Sequence, residues 1–254
     1  MSISNDKDLN GMREVSEAVA QTLKRMTAFA APGMTTKELD LYGGEILKSY
    51  GARSAPKLAY KFPGYTCISI NDEVAHGVPK PGKFLKEGDL INIDVSAELN
   101  GYWSDNGGSF ILGEDLTGKK KLVDASRDIL EEVIAQITSG LRIAELGRFI
   151  EEEARRRGYK VIRNLVGHGI GRSLHEAPRE IPCFYDKSNV SRFKKNTVVA
   201  VETFISTKAA YTVETADGWT LKTPDGSYVA QHEHTLIVTE GRPVILTMGN
   251  GIFD

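Results

Sequence analysis

The sequence predicts an α+β domain in which two similar halves share one antiparallel sheet. Sliding the chain by 107 residues lays Gly33-Met34-Thr35-Thr36-Lys37-Glu38-Leu39 over Gly140-Leu141-Arg142-Ile143-Ala144-Glu145-Leu146, and also matches Tyr42 with Phe149, Glu45 with Glu152 and Gly51 with Gly158. At an offset of 108, Asp94 falls on Glu202 inside two apolar strands, 90–95 and 198–203. Helix, glycine stop and carboxylate-bearing strand thus recur in the same order.

Each half reads alike. A helix is expected over 9–28. The next has Thr35 and Glu38 at capping-box spacing, an apolar stripe of Leu39, Tyr42, Ile46 and Leu47, and Gly51 as its stop. Its counterpart follows a helix over 120–138, carries Leu146, Phe149, Ile150 and Ala154, and stops at Gly158. Strands are expected over 67–70, 90–99, 102–112 and 197–206, with three more after Tyr211. Asp217-Gly218 and Asp225-Gly226 are hairpin turn signals between those last strands. No linker composition interrupts the chain, so one catalytic domain over 1–254 is expected, with halves of roughly 9–118 and 119–254 and a polar tail over 1–8.

Bulk properties exclude several classes. A net charge of -2 gives no electrostatic reason for a nucleic-acid partner. Cys67 and Cys183 lie far apart and outside any CxxC pattern, which argues against a disulfide framework or a cysteine zinc site and fits a reducing compartment. The polar stretch 1–10 lacks a signal-peptide layout. No apolar run approaches the ~20 residues of a membrane helix. A cytoplasmic enzyme is the expected setting.

The acids carry the chemistry. Alternation over 90–99 places Ile91, Ile93 and Val95 on one face and Asn92, Asp94 and Ser96 on the other. A tight turn at Asn100-Gly101 pairs Asp105 with Ser96, diagonal to Asp94 and about 7–8 Å from it. Two carboxylates there repel unless a cation or proton lies between them. Glu202 ends the apolar run Val198 to Val201, and Glu233 precedes another, Leu236 to Val238. A carboxylate buried in such a strand costs several kcal/mol unless it is paired, protonated or metal-bound. The same alternation turns His232 and His234 away from Glu233, as structural residues. His168 stands in Val166-Gly167-His168-Gly169-Ile170-Gly171, where flanking glycines permit unusual backbone angles and close approach, and His168, His76 and His175 are each expected in a Gly- or Pro-marked loop. Asp94, Asp105, Glu202 and Glu233 with His168 form an oxygen-rich set suited to Mn(II), Fe(II), Co(II) or catalytic Zn(II). Four negative charges nearly balance two divalent ions, and paired ions can activate a shared water as hydroxide.

Asn92-Ile93-Asp94-Val95, Asp105, Gly167-His168-Gly169-Ile170-Gly171, His175-Glu176-Ala177-Pro178, Val201-Glu202 and Gln231-His232-Glu233-His234-Thr235 occur in the order seen in methionine aminopeptidases. The chain resembles that family from about Leu9 to Ile245. The resemblance implies a pita-bread fold, two pseudo-symmetric halves sharing the sheet with helices on its outer face. It implies removal of N-terminal methionine from nascent polypeptides with a small second residue, by attack of a metal-bridging hydroxide. Two divalent ions (Co, Mn, Fe or Zn) are implied, with Asp94 on one, His168 and Glu202 on the other, and Asp105 and Glu233 bridging. By the same resemblance His76 contacts substrate near the scissile amide, His175 stabilises the scissile carbonyl, and Glu202 shuttles a proton. Tyr65, Cys67 and Trp219 resemble positions lining the methionine pocket. A cytoplasmic monomer with transient ribosome association, and neither membrane nor specific nucleic acid as partner, completes the expectation.

Only 26 residues separate His175 from Glu202, which leaves no room for the type II insertion, so the chain resembles the short bacterial-style type I enzymes. It departs from them at Thr203, where proline usually follows the ligand glutamate. Aminopeptidase P and prolidase use a similar ligand set but carry an extra N-terminal domain; binding proteins on this fold lose the ligand positions.

Overall fold

The structure is a computed structural model that describes residues 1–253. In chain order the elements are α1 (Asp6–Phe29), α2 (Thr36–Ser49), β1 (Arg53–Ser54), α3 (Ala55–Tyr60), β2 (Cys67–Ile70), β3 (Glu73–Ala75), β4 (Leu90–Leu99) and β5 (Tyr102–Ile111). There follow α4 (Lys120–Ile134), α5 (Ile143–Arg156), β6 (Lys160–Val161), β7 (Val166–Gly169), β8 (Glu176–Pro182) and β9 (Val198–Ser206). The chain then forms β10 (Val213–Glu214), β11 (Leu221–Lys222), β12 (Val229–Ile237) and β13 (Val244–Ile245).

The main sheet runs β1-β4-β5-β12-β9-β7-β8, and every pairing in it is antiparallel. Helix α1 packs on β4 and β5, and α4 packs on β9 and β12. The short helix α3 adds contacts to β4, and α4 also reaches β5, but the main packing on each pair of strands comes from one long helix, giving an α+β architecture with a shared antiparallel sheet. The apolar side chains gather accordingly: Met12, Val19, Ile91, Ile93 and Val95 in one cluster, Ile129, Val133, Val201 and Phe204 in another.

Local chemistry explains the helix ends. Thr35 and Glu38 form the reciprocal capping box, with Glu38 N–H donating to Thr35 Oγ1 at 3.1 Å and Thr35 N–H donating to Glu38 Oε2 at 2.8 Å. Asn5 caps α1 through Asp8 N–H, so that helix starts earlier than apolar periodicity alone places it. The stretch 1–8 is also no free tail. Val198 N–H donates to the Met1 carbonyl at 2.8 Å, Ser2 bridges Thr197, and the Met1 ammonium pairs with Glu176 at 2.7 Å. Helix α4 stops at Ile134, short of the expected 138, where Gln136 N–H turns back to the Val133 carbonyl. Among the described residues four strands rather than three follow Tyr211, and His168 lies on strand β7 rather than in a loop.

Asp40 is the buried charge that joins α2 to the segment entering β2. Its Oδ1 accepts the backbone N–H of Tyr65 at 2.7 Å and of Thr66 at 2.9 Å, and Lys37 donates to its Oδ2 at 2.9 Å. The side chain is fully buried. Asp40→Ala leaves two backbone donors without an acceptor and is expected to destabilise the fold by about 3 kcal/mol. In thermal denaturation this corresponds to a Tm lower by roughly 6–12 °C. A Tm within about 2 °C of the parent's would remove Asp40 from this role.

Candidate metal centre

The strand registers put the acids in one row. Cys67 on β2 faces Asp94 on β4, Asp94 faces Gly107 on β5, Gly107 faces Glu233 on β12, and Glu233 faces Glu202 on β9. Residues directly opposite across antiparallel strands project to the same face. Asp105, two residues before Gly107 and paired with Ser96, joins that face. His168 is opposite Ala200, two residues before Glu202, and joins it from β7. Asp105, His168 and Glu233 bring ligand atoms within 4.8 Å of one another, and His168 Nε2 lies 4.0 Å from Asp105 Oδ2. Asp94 shares a hydrogen bond with Asp105, and Glu202 lines the same cavity.

Small side chains make the row possible. A Cβ on Gly107 would lie 2.7 Å from Gln231 Nε2, inside van der Waals contact. Gln231 uses that space, donating from Nε2 to Glu202 Oε2 at 3.2 Å and to Glu233 Oε2 at 3.1 Å. Its Oε1 accepts from Asn92 Nδ2 at 2.7 Å. A Cβ on Gly167 would lie 2.6 Å from the Ala200 carbonyl oxygen, and one on Gly169 would collide with Ala177. The glycines flanking His168 therefore let β7 lie tightly between β8 and β9, rather than supplying unusual backbone angles.

Electrostatics mark the row as unstable on its own. Burial pushes the Asp94 carboxyl up to about 6, partly offset by the Asp105 hydrogen bond. Burial raises Asp105, Glu202 and Glu233 well above the carboxylate range, and the charges of neighbouring acids in the set add to it. Burial first, then His175, lowers His168 to about 3, so its imidazole is neutral. Its Nδ1 lies 3.0 Å from the Gly169 carbonyl, which can only accept. The proton is thus on Nδ1, and Nε2 offers a lone pair toward the acids. Asp105 Oδ1 is buried without a hydrogen-bond partner. An oxygen-rich acid cluster, a neutral imidazole lone pair and an orphaned carboxylate oxygen fit divalent cations.

The cluster floors a cavity of about 420 Å³. His76 and His175 line it, as do Cys67 and Trp219. His76 follows β3 in a left-handed conformation, φ 55°, and crowding lowers its pKa, burial first and then His175. His175 stands beside His168, ring centroids 4.1 Å apart. The Asp217 turn presents Trp219, Asp217 Oδ1 accepting the N–H groups of Trp219 and Thr220 at 3.0 and 2.8 Å. Tyr65 is not among the lining residues. Its ring lies against Gly44 of α2 beneath the Lys57 ammonium, because Asp40 holds its backbone on the helix side. Phe62 takes the wall instead, edge-on to Trp219 at 5.3 Å. Sequence reasoning missed Phe62, Tyr60 and the role of Gln231; only Gln231 carried a signal, lying two residues before Glu233 on the same strand face.

His232 and His234 lie on the opposite face. His232 bonds Ser126 Oγ and the Ser109 carbonyl, and His234 bonds Thr247 Oγ1. Thr203, the departure at the proline position, also faces α4, 3.0 Å from Ser126 Oγ, and keeps the β9–β12 register unbroken through Glu202.

Metal-free protein should therefore be stabilised by mild acid. A carboxyl whose folded pKa is raised contributes full stability below its unfolded value, about 4. That stability is lost as pH rises through the folded value, about 6 for Asp94 and higher for the others. Chelator-treated protein is expected to melt at a higher temperature at about pH 5.5 than at about pH 8. Glu233→Gln should raise the pH 8 melting temperature without metal and lower it in saturating Mn(II). Identical shifts with and without metal would contradict this electrostatic account.

Metallopeptidase family M24 matches residues 10–240 of the chain. Methionine aminopeptidase 2 of Bacillus subtilis is 50% identical over 247 residues, covering 97% of this chain and 99% of its own. Methionine aminopeptidase of Staphylococcus epidermidis is 41% identical, covering 97% of this chain and 98% of its own. The crystal structure of methionine aminopeptidase from Thermotoga maritima superposes with a TM-score of 0.92 at 35% identity, over 97% of this chain and 99% of the other. With the family match spanning both halves and all five candidate ligands, the chain belongs to metallopeptidase family M24 and groups with its methionine aminopeptidases.

Proposed function

We propose that this protein is a two-metal methionyl aminopeptidase that removes N-terminal methionine from polypeptides with a small second residue. The observation that carries the reading is the convergence of Asp94, Asp105, His168, Glu202 and Glu233 on the floor of one cavity, where Asp105 Oδ1 has no partner. Asp94 would hold one ion, His168 and Glu202 the other, with Asp105 and Glu233 shared between them. Bound there, the ions supply Lewis acidity and lower the pKa of water toward about 7.

The protein's own groups do the rest. Phe62, Cys67 and Trp219 form the apolar wall that takes the thioether side chain. Burial and the neighbouring acids raise the Cys67 thiol pKa, so it stays neutral and is no nucleophile. His76 orients the scissile amide. His175 donates a hydrogen bond to the scissile carbonyl oxygen as negative charge develops on it. Glu202 has Oε2 engaged by Gln231, which leaves Oε1 to receive a proton from the attacking water and deliver it to the leaving amine. The same reading makes the protein a cytoplasmic monomer that meets nascent chains, with transient ribosome contact. No described helix is long and apolar enough to cross a membrane.

Metal-supplemented protein is expected to release methionine from Met-Ala-Ser and to leave Ala-Pro peptides intact. No cleavage of the methionine peptide with Mn, Co, Fe or Zn would end this proposal. Asp105→Ala and Glu233→Ala should each lower turnover by at least about 100-fold while far-UV circular dichroism stays unchanged. Near-parental activity in either would remove it from the shared-ligand assignment.

A further inference from the structure

Two imidazoles stand side by side in the cavity, held by partners of opposite character. His168 Nδ1 faces a carbonyl and so must donate, which leaves Nε2 as a lone pair. His175 Nδ1 instead lies 2.6 Å from the Tyr60 hydroxyl. A phenol can donate or accept, but its O–H is a stronger donor than an imidazole N–H. A neutral imidazole nitrogen is in turn a better acceptor than a phenol oxygen. The separation falls in the short range typical of O–H donors.

Resting on the reading that His175 serves the scissile carbonyl, we infer that Tyr60 is a positioning residue that donates to His175 Nδ1 and holds the proton on Nε2. Nε2 is the nitrogen left for the substrate. In the other tautomer Nε2 would set a lone pair against the carbonyl oxygen, which repels it. Adjacent rings thus receive opposite tautomers from opposite partners: His168 becomes a ligand, and His175 becomes a donor.

The surroundings separate this role from a structural one. Tyr60 ends the short helix α3 and is 48% exposed, so its ring fills no core. Lys61, in a left-handed conformation at φ 61°, closes the helix and lets Phe62 turn into the pocket wall. The backbone around His175 is anchored without Tyr60. Ser173 Oγ donates to the His175 carbonyl at 3.0 Å, and Glu176 Oε1 accepts from Arg172 N–H at 2.9 Å and the Met1 ammonium at 2.7 Å. Removing the phenol oxygen therefore frees the His175 ring while its loop stays in place.

The test combines kinetics with the ring-nitrogen signals of 15N-labelled, metal-free protein at neutral to alkaline pH. The chain has five histidines, so His175→Gln identifies the His175 signals by their loss. Wild type should show Nδ1 unprotonated and Nε2 protonated, and Tyr60→Phe should move both nitrogens toward a tautomer average. With metal restored, Tyr60→Phe should lower kcat about tenfold on Met-Ala-Ser with KM changed less than about twofold. Leu58→Ala, exposed on the same helix and outside the cavity, should change neither. A protonated Nδ1 in wild type overturns the inference, as do unchanged signals or kcat in Tyr60→Phe, or a loss confined to KM. The expected signals together with no peptide cleavage by wild type would instead overturn the proposed activity and leave the tautomer assignment standing.

Discussion

Mutual repulsion among four buried carboxylates is the constraint around which this molecule is organised. Asp94, Glu233 and Glu202 lie in one line across strands β4, β12 and β9, and Asp105 reaches the same face from β5. Neighbouring strands are only ~4.8 Å apart. Burial raises the pKa of all four acids, and at Asp105, Glu202 and Glu233 the charges of neighbouring acids raise it further. Such a row persists only where cations or protons intervene, as the chemistry of a metallopeptidase requires.

The scaffold confines this repulsion to one face of the sheet. Its other face carries Val95, Asn106, Thr203 and His232, where polar groups are matched by neutral hydrogen bonds. Asn106 donates to the carbonyls of Val19 and Val95, and Ser126 of α4 meets both Thr203 and His232. A sheet tied to its helices by these bonds can hold its strands in register against the electrostatic strain on the other face. Thr203 illustrates the coupling. It is the immediate neighbour of Glu202, yet its hydroxyl is tied to α4, so the helix fixes the strand that aims the acid.

Above the floor, the cavity is assembled from short segments rather than from the sheet itself. The segment after β3 brings His76, the β7–β8 connection brings His175, α3 brings Tyr60, the residues just after it bring Phe62, and the Asp217 turn brings Trp219. Strands thus carry the acids whose spacing must be accurate, and mostly loops carry the groups that wall the cavity above them. Prolidases of known structure share the fold with this chain at a TM-score of 0.76 but at 19% identity.

What the sequence determined by itself was local and periodic. Alternation placed Asp94 and Asp105 on one face and turned His232 from Glu233; the capping box at Thr35 and the turn at Asp217 were legible because each is made within a few residues. The 108-residue offset between Asp94 and Glu202 even indicated which strands correspond. Only the tertiary structure decided which strands become neighbours, and hence that Gly107 must be small so that Gln231 can bridge Glu202 and Glu233. It alone exchanged Tyr65 for Phe62 in the wall and set Tyr60 against His175, 115 residues away. Contacts of that kind depend on how distant segments pack, and no periodicity along the chain encodes them.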